Sequence, residues 1–177
     1  MKEVNLEYLD ELTIGSEPPK LLYADEDKVI FDCNGVFVYD MKAKDLSQSF
    51  DVLFDDSNKN VKRKWNSFVS KDGKYIIFMI GISANEDSID RYCYSFEEDV
   101  VIEIDEKKYL NYRNNAFAWT DLDYKDELYE KSSGRIVYIS DNEYVYLTFE
   151  DWLVSTIQFV CVKDNMESYY SIFDKYL

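Results

Sequence analysis

Histidine is absent from this chain of 177 residues. Its absence removes Ser-His and Cys-His nucleophile pairs and the zinc centres usually built on imidazole. Glycine and proline are scarce, at 5 and 2 residues, so the chain lacks the composition of a disordered segment. The three cysteines, Cys33, Cys93 and Cys161, have no close spacing and form no disulfide framework. Each sits in an apolar or aromatic stretch, where a free thiol behaves as a small hydrophobe. Buried free thiols are therefore expected, with a single bridge from Cys33 to Cys161 or Cys93 as the alternative. No long apolar run is present either. The longest, Tyr75 to Ile82 ("YIIFMIGI"), is too short to span a bilayer, and the first twenty residues carry acids where a signal peptide needs an apolar core. A soluble chain with no export signal of its own is expected, cytoplasmic as given.

What the chain does have is aromatic residues and negative charge. Tyr, Phe and Trp number 16, 11 and 3, and 46% of residues are hydrophobic. Large rings pack well on pleated, half-buried faces, so sheet is favoured over a helix bundle, and the length suits one core better than two. Acids outnumber bases 36 to 20, giving a formal net charge of -16. That sign repels phosphate backbones and anionic headgroups, which argues against nucleic acid and membrane surfaces as direct partners. A basic protein partner steered by the long-range field is the functional use of such charge, and simple solubility is the other.

Strand patterning predicts three similar units over residues 20–52, 65–113 and 135–174 of a single β-rich domain, 1–177, with an insertion at 114–134. In the first, "KLLYA", "KVIFDC", "VFVYD" and "DLSQSFDV" are separated by turns at Asp25 to Asp27, Asn34-Gly35 and Met41 to Lys44. The second opens on "NSFVSKDGKYIIFMI" and closes on "VVIEID", turning through Glu106 to Lys108 into "YLNYR"; "SANEDSIDR" and "YCYSFEED" lie between those halves. The third runs from "RIVYISDNEYVYLTF" through "LVSTIQFVCV" to "ESYYSIF". Aligning the first turns at Asp25, Asp72 and Asp141, and the second at Lys42, Glu106 and Asp164, gives three copies of one meander. The expected fold is all-β, three four-stranded antiparallel meander units, propeller-like and open, with a short helical insertion. A short lead-in helix is expected at "NLEYLDEL", residues 5–12. Closed propellers use about four to eight blades, so three leave an open array, self-association or collapse into one sandwich.

Two resemblances attach to these segments. "VSKDGKYIIF" and "VFVYDMKAKDL" resemble the hairpins of TolB-like propeller blades. The order "KVIFDCNGVFVYDMKAKDLSQSFDV", "FVSKDGKYI", "YVYLTFEDWLVSTIQFV" resembles the β-rich C-terminal tail of BlaR-type membrane proteins. The second resemblance implies a non-enzymatic sensing or binding module, extracytoplasmic if the resemblance holds. With no HExxH and no His, none of that family's metallopeptidase residues has a counterpart here.

Candidate chemistry is thin. "DLDYKDELYEKS" from Asp121 has acids at loop positions one and three but no central Gly and no closing Glu, and the stretch from Asp56 fails likewise, so neither is an EF-hand. No metal and no cofactor is expected. The only basic cluster, "KNVKRKW" from Lys59 to Trp65, suits a solvated loop tip. The stretch Tyr109 to Tyr129 mixes aromatics, Arg and acids, the residue types of binding hot spots. Within it Tyr112, Arg113, Phe117, Trp119, Asp121 and Asp123 are the candidate binding residues. The structural use of the same stretch is to cover a sheet edge with Phe117 and Trp119, followed by a short helix over Leu122 to Tyr129. A non-enzymatic protein-binding or sensor module is the preferred function. An acidic immunity protein that neutralises a basic toxin or nuclease is the alternative, and a carboxylate-based hydrolase comes third.

Overall fold

A computed structural model of the protein describes residues 18–33, 35–51, 63–81, 89–129, 131–132, 134–151 and 153–173. The lead-in segment 5–12, Asn34, the first part of the basic cluster (59–62) and most of "SANEDSIDR" lie outside them. The chain divides into two compact units: Met1–Phe50 with Trp119–Leu177, and Asp51–Ala118.

The first unit holds two sheets. One consists of β1 (Lys20–Ala24), β2 (Lys28–Asp32), β3 (Gly35–Asp40) and β4 (Asp45–Asp51), paired antiparallel in chain order. Its first three strands are apolar without alternation because both faces are buried: Leu21, Val29, Ile30 and Phe31 are fully inaccessible. Carboxylates make its turns. Asp25 Oδ1 accepts from the backbone N–H of Asp27 and Lys28, and Asp40 Oδ1 from that of Lys42 and Ala43.

The other sheet of this unit runs in the order β13 (Met166–Ser171), β12 (Gln158–Lys163), β11 (Glu143–Thr148), β10 (Arg135–Ser140), β9 (Thr120–Asp121). One of its faces meets the first sheet: Tyr39 stands edge-on to Phe159 at 4.6 Å, and Phe37 to Phe173 at 5.6 Å. Segment 122–129 forms successive turns rather than the expected helix. Asp126 Oδ2 accepts from Asp123 N–H and Asp123 Oδ1 from Lys125 N–H, so the side chains compete with the helical ladder. Leu122 and Leu128 from these turns pack on Ile136, Tyr146, Val160 and Val162.

The second unit carries β5 (Arg63–Val69), β6 (Tyr75–Gly81), β7 (Ile89–Ser95) and β8 (Val100–Glu103), again antiparallel in chain order, and helix α1 (Glu106–Asn114). Two expectations are corrected here. "YLNYR" is helical: Asp105 caps the N-terminus by accepting from Lys108 N–H at 2.7 Å, Glu106 lies in the first turn and Arg113 in the last. Tyr109 and Tyr112, three residues apart, share the face that meets Phe68, Ile77, Cys93 and Ile104, and Leu110 is left exposed. The aromatic stretch "YCYS" accordingly supplies the third strand, and the counterpart of the Lys42 and Asp164 turns is Phe96–Asp99, not Glu106.

The repeat is nonetheless present as three four-stranded meanders, the third extended by β9. The first strand of each is bulged, between Leu21 and Tyr23, Lys64 and Asn66, and Tyr138 and Ser140. Each bulge strengthens the local twist. The link between third and fourth strands ends on a residue at positive φ in every copy: Lys44 (54°), Asp99 (51°) and Asn165 (64°). All three cysteines are free and buried, so no bridge forms. No helix among the described residues is long and apolar enough to cross a membrane.

Candidate functional site

The six residues singled out in the sequence fall into both units. Tyr112, Arg113 and Phe117 belong to the second. Tyr112 is half-buried, tilted against Tyr75 at 5.4 Å, and burial with the neighbouring Cys93 pushes its phenol up to about 12. Arg113 is exposed at the end of α1, and Phe117 N–H donates to Val69 O at 2.8 Å, which lays the backbone beside it along the β5 edge. Trp119, Asp121 and Asp123 belong to the first unit. Trp119 Nε1 donates to Asp121 Oδ1 at 3.1 Å, the Arg135 guanidinium lies 4.1 Å from the Trp119 ring centre, and Arg135 Nε pairs with Asp121 at 3.4 Å. Thr120 and Asp121 extend the sheet at β10. Asp123 is spent on its own turn. The stretch thus covers sheet edges with its backbone, and the aromatic, the cation and the carboxylate around Trp119 satisfy one another.

A different aromatic and acidic surface lies on the face of the third sheet turned away from the first. Strand register sets it. Tyr138, Tyr144, Val162 and Glu167 form one cross-strand row, and Ile136, Tyr146, Val160 and Tyr169 the next. Leu122 and Leu128 cover part of this face. The remainder is open: Tyr138 and Tyr169 are 55% and 58% exposed, whereas Tyr146 between them is buried. The Tyr138 and Tyr144 rings stand 5.7 Å apart at 57°, and Tyr144 lies 6.4 Å from Tyr146. At the turn end, Tyr138, Asp141, Asn142, Tyr144, Val162, Asp164 and Asn165 line a surface concavity of about 430 Å³.

Glu167 is the electrostatic centre of this face. It accepts from the Tyr169 hydroxyl, a hydrogen bond that raises the Tyr169 phenol above its ordinary value. Burial raises Tyr144 and pushes Tyr146 to about 12, and the Glu167 charge adds to both. The phenols therefore stay neutral donors and apolar rings throughout the physiological range. The sequence reading missed these residues because it sought hot spots only where the repeat was interrupted. The signal was present as Tyr at alternate positions in "EYVYLTF", which puts both rings on one face of a strand.

No family model and no curated protein matches the chain. Among solved structures, the crystal structure of the tricorn protease is similar over 86% of this chain and 18% of that one, at 15% identity and a TM-score of 0.31. That likeness carries no argument about fold or function, and neither resemblance noted in the sequence is strengthened by it.

Proposed function

We propose that this protein is a non-enzymatic binding module that docks a basic segment of another protein on the tyrosine and carboxylate face of its third sheet. The observation that carries the reading is the coincidence of exposed Tyr138 and Tyr169 with Glu167, Asp141 and Asp164 in a chain of net charge -16. Tyrosine supplies contact area at low entropic cost, and the acids select the sign of the partner. Blade-like meanders, similar in local pattern to TolB-like propellers or to a BlaR-type sensor tail, suit a rigid scaffold that presents such a face. Catalysis by paired carboxylates finds no support at Asp27 or Asp72. Lys42 and Ser70 respectively hold these below the ordinary carboxylate range, opposite to the shift a general acid needs.

Calorimetric titration of the full chain with octalysine, and with octaglutamate as control, tests the reading. Octalysine binds and octaglutamate does not, and affinity falls as salt rises from about 0.02 to 0.3 M because exposed charges are screened. Absence of octalysine binding at the lower salt overturns it. The net charge of -16 also supports an acidic neutraliser of a basic toxin or nuclease, a reading that requires stoichiometric inhibition of the partner's activity.

A further inference from the structure

We infer that the open part of this face, Tyr138, Tyr144 and Tyr169, takes the cationic heads of lysine or arginine side chains from the basic partner, with Glu167 as a counter-charge. The inference rests on the binding-module reading and adds the place and the chemistry of recognition. Its basis is a contrast within the molecule. Five other rings each lie under a cation of the protein's own: Tyr23 under Lys28 at 5.4 Å, Tyr170 under Lys44 at 6.0 Å, Tyr109 under Arg91 at 5.7 Å, Tyr124 under Lys125 at 5.4 Å and Trp119 under Arg135 at 4.1 Å. Among the described residues no cation lies over Tyr138, Tyr144 or Tyr169.

Lys163 is close in sequence but unavailable. Strand alternation puts it on the opposite face from Val162, where its ammonium pairs with Glu143 at 3.1 Å. Every ring face carries negative quadrupole potential, and here that potential is reinforced by Glu167 beside Tyr169 and by Asp141 and Asp164 at the concavity. The Tyr138 and Tyr144 rings, tilted at 57°, are not stacked flat on one another.

The test is by nuclear magnetic resonance on the full chain with tyrosine rings labelled. Tetramethylammonium is titrated against neopentyl alcohol, its neutral isostere, and octalysine is titrated in parallel. Tetramethylammonium shifts the Tyr138, Tyr144 and Tyr169 ring signals and neopentyl alcohol does not. Tyr138→Leu and Tyr169→Leu each weaken octalysine binding about two- to fivefold, whereas the corresponding Phe variants retain it, because Phe keeps the ring face and Leu keeps only the apolar bulk. Both positions are more than half exposed, so these variants fold. Equal shifts from the two isosteres, or full binding by the Leu variants, overturn the inference in favour of a merely apolar patch. Octalysine binding that shifts other residues overturns it while leaving the basic-partner reading intact; absence of octalysine binding overturns both.

Discussion

Around Trp119 and around Tyr144 the same ingredients, large rings and carboxylates, are put to opposite uses. At Trp119 the chain supplies its own cation: Arg135 covers the ring, pairs with Asp121, and leaves the indole N–H bonded to that carboxylate. At Tyr144 the neighbouring rings and Glu167 have no such cation among the described residues. Composition is alike in the two places, and the difference lies in what strand register brings alongside. Arg135 opposes Asp121 across β10 and β9, whereas Tyr138 opposes Tyr144 across β10 and β11. Hot-spot residue types mark a binding surface only where the fold has not already satisfied them.

The largest expected effect concerns what lies beneath the open face. Tyr146→Ala removes a buried ring from the cluster with Ile136, Val160 and Val162 and costs about 3 kcal/mol of stability in urea unfolding. Tyr138→Ala, on the same face but exposed, changes stability by less than about 0.5 kcal/mol. Equal losses would mean that the face is structural throughout. Alkaline titration comes next. Tyr146 and Tyr112 titrate near 12 in the folded protein against an ordinary 10, and Cys161 near 11 against 9. Between those values the folded state keeps protons that the unfolded chain has lost. Stability is therefore intact below about pH 9 and falls as pH rises towards 12. A late class of tyrosinate absorbance, converging with unfolding, checks it.

Arg135 separates the two sites more finely. Arg135→Ala uncovers Trp119 and frees Asp121, and it lowers stability by about 1 kcal/mol, mostly through the lost stacking, since the pair with exposed Asp121 is screened. Trp119→Leu leaves octalysine affinity within about twofold, because that ring already has its cation. A loss comparable to that of Tyr169→Leu would transfer the binding role to the Trp119 stretch.

Much of the architecture was legible because turn chemistry is local. Asp25, Asp40 and Asp72 announce turns by accepting from backbone or hydroxyl donors two or three residues away, and the strands between them need only an apolar run. Helix α1 was misread because "YLNYR" also alternates apolar and polar; the Asp105 cap and the spacing of Tyr109 and Tyr112 decide for a helix once there is a core to meet. The tyrosine face was harder still. Its rows join residues from β10, β11, β12 and β13, and which rings share a face depends on pairing partners up to Ser171. Spacing along the chain cannot supply that register.

The smallest effect tests the rim of the site apart from its rings. Asp164 and Asn165 form a two-residue hairpin turn with φ of 49° and 64°, the left-handed region at both positions. Asn tolerates that region better than most residues, but glycine has no Cβ to strain there, and Asp-Gly is a favoured pair for this turn. Asn165→Gly therefore stabilises the third sheet by about 0.5 kcal/mol in urea unfolding. The substitution removes a side chain that lines the concavity and leaves Tyr138, Tyr144 and Glu167 in place. Cation recognition by the rings leaves octalysine affinity unchanged in this variant, whereas recognition by the polar rim lowers it despite the firmer turn.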